Sequence, residues 1–275
     1  MRIYHYTTIN NLALILASKK IRFNRLDNVD DLEESIYKSG VGVNKINLSQ
    51  YTFVSCWTKE KQENLALWNM YTGYKGIRIG LEADEIFVKH KVNDTDYSYF
   101  DNWLKTIGDI VFPLPNNLVH LEDIQYVDDV KRAVESLAQI EGNKIVMKTS
   151  QIGVYKNSAW AFQKESRFAL HGMPFNIERF AKDTIENLGK ESYSNIDKMK
   201  ELNDFFKNLG DTLAVNKPCK IQFIDLAVQE ETLDNIEILL GPLTTPSDRI
   251  IVEALTKDFH NCKIVDSYFH GKIRK

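Results

Sequence analysis

The sequence predicts an α+β fold, a mixed and mainly antiparallel set of sheets with flanking helices. Short runs of alternating β-branched and aromatic residues recur from one end of the chain to the other. Stretches of helical period stand among them in mixed order, unlike the steady alternation of a doubly wound sheet. The chain has 275 residues, 43% hydrophobic and 27% charged, enough for one sizeable core and near the length at which a single core stops growing. One domain spanning 1–275 is therefore expected.

Arg2-Ile3-Tyr4-His5-Tyr6 alternates as a short strand should, and Thr7 or Thr8 can cap a helix carrying Ile9, Leu12, Ala13 and Leu16 on its apolar face. Lys20 to Phe23 reads as a second strand, followed by an acidic loop (Asp27, Asp30, Asp31, Glu33, Glu34) leading into a helix. A strand is expected from Tyr51 to Cys56, then a helix from about Lys59 to Tyr71, with Gly73 and Gly76 turning the chain into a strand from Ile77 to Leu81. The stretch at about 93–117 is irregular, aromatic and holds Pro113 and Pro115, which suggests a lid. A helix is expected over Asp128 to Ile140 and a strand over Glu165 to Leu170; the polar stretch at about 177–213 reads as a helical insertion. The last part reads as strands Ile221 to Ala227 and Ile236 to Leu240, a helix Ser247 to Phe259 and a strand Lys263 to Phe269.

Composition narrows the function classes. The opening residues lack a basic stretch followed by an apolar run, and no apolar stretch reaches the ~20 residues that span a bilayer, so a cytoplasmic protein without membrane attachment is expected. Three distant cysteines, Cys56, Cys219 and Cys262, fit neither a disulfide framework nor a zinc site. With 35 Lys+Arg against 38 Asp+Glu, no global positive field recruits nucleic acid. The basic Lys272-Ile273-Arg274-Lys275 end reads as a solvated tail. Neither Gly-x-Gly-x-x-Gly nor a Walker-type loop occurs.

Three groups of residues have chemical potential. His5-Tyr6-Thr7 lies at the end of a strand and the mouth of a helix, where a His can hydrogen-bond a ribose hydroxyl and the backbone can hold a carboxamide. The alternative is a pair of ordinary core-edge residues. Glu165 and Arg167, two apart in a strand, share a face and read either as a catalytic acid with its neighbour or as a structural ion pair. The acidic loop 27–34 offers hard oxygen ligands for Mg²⁺ or Mn²⁺, or simply favours a helix N-terminus. His90, His120, His171, His260 and His270 show no paired ligand spacing, and no metal site is assigned.

The segment His5-Tyr6-Thr7-Thr8-Ile9-Asn10-Asn11-Leu12 resembles the start of ADP-ribosyltransferase-like bacterial toxins, including those that modify DNA. The chain as a whole resembles the bacterial family called domain of unknown function 2971. The matching pieces are His5-Tyr6-Thr7, Asp30-Asp31-Leu32-Glu33-Glu34, Ser55-Cys56-Trp57, Leu67-Trp68-Asn69-Met70-Tyr71, Trp160 through Arg167, and Ile238-Leu239-Leu240-Gly241-Pro242. The resemblance implies an ADP-ribosyltransferase-like core, NAD as substrate, and a role in a toxin or antiviral defence system. A nucleic-acid or protein acceptor, or water, would take the ADP-ribose, and a partner protein is also implied. It implies that His5 and Thr7, with Tyr6 between them, grip NAD; that Ser55 stands on the strand bearing the superfamily's serine; and that Tyr71 or Tyr74 stacks on nicotinamide. Glu165 would then polarise the nicotinamide ribose beside Arg167. The chain departs from the pattern at Gln163, where a second glutamate is usual. Two other functions stay open: a non-catalytic module recognising a nucleotide or nucleic acid, and a metal-dependent nuclease built on the acidic loop.

Overall fold

The computed structural model describes residues 1–34, 38–41, 44–92, 94, 96–101, 105–108, 110–112, 119–135, 137–141, 144–174, 200 and 218–274. Among them the main sheet has nine strands: β1 (Arg2–Thr7), β2 (Lys20–Arg25), β3 (Thr52–Thr58), β4 (Ile77–Glu82), β5 (Leu121–Asp123), β6 (Glu165–His171), β7 (Phe223–Ala227), β8 (Glu237–Leu240) and β9 (Lys263–Asp266). Among the described residues the helices delimited at both ends are α1 (Ile9–Ser18), α2 (Leu65–Thr72), α3 (Val130–Val134), α4 (Glu230–Asp234) and α5 (Pro246–Thr256).

The spatial order is β5-β6-β3-β1-β4-β8-β9, with β2 joined to β3 on one side and β7 on the other. Every pairing in this sheet is antiparallel except β8 with β9. The fold is thus mixed α and β with a mainly antiparallel sheet. One apolar core, including Ile3, Leu12, Phe23, Phe53, Ile79 and Val252, fills one face, and α1 and α5 pack together over it. Tyr6, Leu67, Trp68 and Leu239 form a smaller cluster beneath α2 on the other. No described helix is long and apolar enough to cross a membrane.

Local chemistry sets most boundaries. Thr8 caps α1 by accepting from the Asn11 amide, and Thr245 and Asp248 form a reciprocal cap at the start of α5, with Pro246 in its first turn. Helix α2 starts later than its apolar spacing predicts because Asn64 is its cap, accepting from the amides of Ala66 and Leu67; Gly73 ends it at φ +56°. The preceding residues serve as a strap: the Lys61 carbonyl accepts from Arg78, and Glu63 accepts from the Trp68 indole, the Ser267 hydroxyl and the Tyr268 amide.

Two expectations change. The helix expected over Asp128 to Ile140 shortens to α3, because Ala138–Glu141 instead pairs with Lys144–Met147 as a hairpin, a tertiary choice suited to Ile140, Ile145 and Val146. After the acidic loop, the described chain is a hairpin of Lys38–Val41 with Asn44–Asn47 where a helix was expected.

The described part of the expected lid lies on the core. Lys105–Ile107 and Ile110–Phe112 pair together, Phe112 packs against Phe53 and Phe100, and Tyr99 meets Phe87 edge-on. These aromatics are drawn inward by packing that their irregular sequence does not reveal. Apart from Lys200, the stretch read as a helical insertion at about 177–213 lies outside the described residues.

Candidate active site

The sheet divides at β3. At its beginning β3 pairs with β2, Phe53 with Arg25 and Val54 with Asn24; at its end Thr58 pairs with Tyr4 of β1. No residue of β1 or β2 pairs with Ser55, Cys56 or Trp57 between them. The two neighbours diverge from one strand, and the gap opens a cleft of about 380 Å³ lined by β1, α1, β2 and β3 together with Asp30, Tyr71, Lys156, Gln163, Glu165, Arg167 and Asp225. That volume is within the range of small-molecule sites.

His5 bridges the gap. Its Nδ1 lies 2.8 Å from the Cys56 carbonyl oxygen. A carbonyl only accepts, so Nδ1 carries the hydrogen and a neutral ring keeps a lone pair on Nε2. Desolvation lowers the imidazole pKa, against a smaller upward pull from that hydrogen bond. Thr7, two residues on and on the same strand face, is buried and accepts from the Asn11 side-chain amide at 2.9 Å.

Of the other residues expected at the site, Tyr6 and Ser55 line the cleft but have partners of their own, and Tyr74 lies outside it. The Tyr6 side chain lies on the face opposite His5, where its hydroxyl accepts from the Asn64 amide at 2.9 Å and its ring meets Trp68 edge-on. Tyr6 fastens the start of α2 and also lines the cleft. Ser55 is buried and accepts from the Trp57 indole at 3.0 Å. Glu165 and Tyr4 both register with Thr58, so Glu165 and Cys56 share a face with Tyr4 and Tyr6, while Ser55 and Trp57 point to the face of His5, whose ring lies 5.2 Å from that of Trp57. Tyr74 lies outside the cleft lining; it packs on the cluster beneath α2, held at φ +68° by the turn after Gly73.

Tyr71 does line the cleft. Its hydroxyl oxygen accepts from Gln163 Nε2 at 3.1 Å. Burial, followed by the neighbouring Asp30 carboxylate, holds its pKa well above the ordinary tyrosine range.

Glu165 and Arg167 form a buried ion pair, Arg167 Nε to Glu165 Oε1 at 2.7 Å. Lys156 holds the other oxygen, Nζ to Oε2 at 2.9 Å. The same ammonium donates to Gln163 Oε1 at 2.8 Å, and Arg167 also reaches Glu34 Oε1 at 2.9 Å and the Gly153 carbonyl at 3.0 Å. Burial opposes ionisation of Glu165, but Arg167 and then Lys156 outweigh it and bring the pKa down to about 2, so the group is a carboxylate at neutral pH. Glu34 goes the other way: burial lifts its pKa more than Arg167 and Lys156 lower it. One Glu34 oxygen, Oε2, is buried without a hydrogen-bond partner. Burial, then the nearby Glu165, raises the Cys56 thiol well above its usual range, which keeps it a thiol.

The acidic loop is consumed by the fold. Asp27 pairs with Arg25, Glu33 accepts from Asn157, Asp31 from the Glu33 amide, and Glu34 from Arg167. Among the described residues no group of three or more His, Cys, Asp or Glu side chains is gathered to hold a metal ion.

Lys156, Gln163, Asp30 and Glu34 join the site without having been assigned there. For Gln163 the signal was its departure from the pattern of the family that the sequence resembles. Lys156 has none, being one lysine among polar neighbours. Comparison with family models, with curated proteins and with solved structures finds no match to the chain.

Proposed function

We propose that the cleft binds NAD and breaks the bond between nicotinamide and its ribose, passing ADP-ribose to water or to a nucleic-acid or protein acceptor. The observation that carries this reading is that His5, Tyr71 and Glu165 all line one cleft at the division of the sheet, His5 reaching it from one face and Glu165 from the other. The scissile N-glycosidic bond leaves its electron pair on nicotinamide, which departs neutral; the ribose becomes an oxocarbenium ion, and the acceptor attacks it and loses a proton. This chemistry needs orientation and a negative charge beside the developing cation rather than a covalent catalyst. Glu165 is that charge, His5 Nε2 is an acceptor for a ribose hydroxyl, and the Tyr71 ring, fixed through its hydroxyl, offers a flat face to nicotinamide. The resemblance to toxin-like transferases and to the domain of unknown function 2971 family supports the same reading, including a role in bacterial toxicity or antiviral defence.

A second reading is favoured by one observation: Glu165 is contacted by two cations, at 2.7 and 2.9 Å, which neutralise much of its charge. A cleft of that kind suits recognition of a nucleotide without cleavage. Purified protein incubated with NAD, with and without nucleic acid, should release nicotinamide on a chromatogram. Calorimetric binding of NAD without release would transfer the site to the recognition reading, and neither binding nor release would end both.

A further inference from the structure

We infer that Lys156 is the positioning residue of this cleft, a single buried ammonium that holds Glu165 and Tyr71 in one arrangement; the inference rests on the NAD-cleaving reading. Lys156 stands in the short strand Tyr155–Asn157, which pairs in parallel with Gln125–Val127 beside the main sheet. Its side chain is 3% exposed. Burying an ammonium is unfavourable unless its donors are used, so a lysine that only filled space would be better replaced by an apolar residue.

Its donors have specific tasks. One goes to Glu165 Oε2 and one to Gln163 Oε1, with Glu34 Oε1 3.7 Å away and the Trp160 ring 5.0 Å from the nitrogen. A primary amide carries its acceptor and its donors at opposite ends. Once Lys156 takes the Gln163 oxygen, the Gln163 nitrogen must face away, and it faces Tyr71. The Tyr71 oxygen is then used as an acceptor, and Asp30 lines the same cleft beside it. A directed relay therefore runs from Lys156 through Gln163 to Tyr71. Arg167 holds the other Glu165 oxygen, but its remaining bonds go to Glu34 and Gly153, away from Tyr71. Among the described residues, Lys156 alone connects the carboxylate to the aromatic platform.

The test is Lys156→Met in the full chain, with ¹³C resonances of the Glu165 carboxyl and the Tyr71 Cζ followed through pH titrations. The Glu165 titration should move upward and the Tyr71 resonance should shift. With a misplaced platform, kcat for nicotinamide release should fall by about 10²-fold while KM changes far less, and the acid limb of the pH profile should move to higher pH. Lys156→Arg, which keeps a cation, should return the Glu165 titration towards that of the parent. A folded Lys156→Met protein with both resonances unmoved overturns the inference. Gln163→Met cuts the relay and leaves the ion pair intact, so it decides the matter if Lys156→Met does not fold. It should shift Tyr71 and spare Glu165; an unmoved Tyr71, or an equal change at Glu165, overturns the inference. Should the parent protein release no nicotinamide, the NAD reading fails while the two resonances still judge Lys156.

Discussion

At the scale of single residues, the two roles of Glu165 make different demands. Glu165→Gln leaves Lys156 and Arg167 with only Glu34 as a nearby counter-charge, and removing one member of a buried ionic cluster costs ~3–5 kcal/mol. The pH dependence has a definite sign. Glu165 is depressed from an ordinary 4.5 to about 2, so its contribution is fully present above 4.5 and is lost as pH falls from there to about 2. Glu34, with its raised pKa, acts in the opposite sense: its ionised form costs stability at neutral pH, and acid relieves that cost. Melting curves of the parent and of Glu165→Gln should therefore differ widely at pH 7 and converge towards pH 2. Below its melting temperature the variant should release nicotinamide about 10²-fold more slowly, the scale of losing one electrostatic stabiliser. Full activity in a folded variant would remove Glu165 from the chemistry, and a pH-independent melting difference would remove it from the ion cluster.

At the scale of elements, strand β3 with its two divergent neighbours is the decisive feature. Cys56 lies between the two pairings, and its carbonyl is bonded to a side chain, that of His5. Its amide should exchange with solvent faster than those of Phe53 and Val54, and should slow when NAD or an unreactive analogue fills the cleft. Slow exchange in the free protein would mean that the seam is closed. His5→Ala should weaken NAD binding and lower stability by only ~1 kcal/mol, one hydrogen bond's worth, as calorimetry beside a melting curve would show. Much of this element structure was legible. β1, α1 and β2 follow from alternation and a threonine cap, signals contained in a few neighbouring residues. The facing of Ser55 was not, because Phe53-Ser55-Trp57 and Val54-Cys56-Thr58 are equally fit for burial and a strand covered on both faces has no polar side to betray its register. That Glu165 lines the same cleft as His5 and Tyr71 was legible only by resemblance, since it depends on β6 pairing with β3 across a long stretch of chain. Lys156 was hidden for a different reason: a lysine's ordinary place is on the surface, and nothing local announces that this one is buried.

At the scale of the whole molecule, distant parts of the chain are fastened at specific points. Glu63 holds the C-terminal turn through Ser267 and Tyr268 while also satisfying the indole of the fully buried Trp68. Glu63→Ala strands that indole hydrogen and frees the turn, so it should cost ~1–3 kcal/mol and make the amide of Tyr268 exchange faster; unchanged melting would show that the turn is held by its other contacts. Of the strand pairings in the main sheet, that of β2 with β7 has the widest reach. Arg22 and Asp225 face each other across it, 203 positions apart in sequence, and both line the cleft. A ribosome that has made the first wall of the cleft must therefore add most of the remaining chain before the strand bordering that wall exists. The entropy of closing so large a loop is lost before the contacts across it can form, which makes refolding slow. The cleft is thus among the last parts of a newly made molecule to be completed, and a chain cut short before Phe223 is born without it.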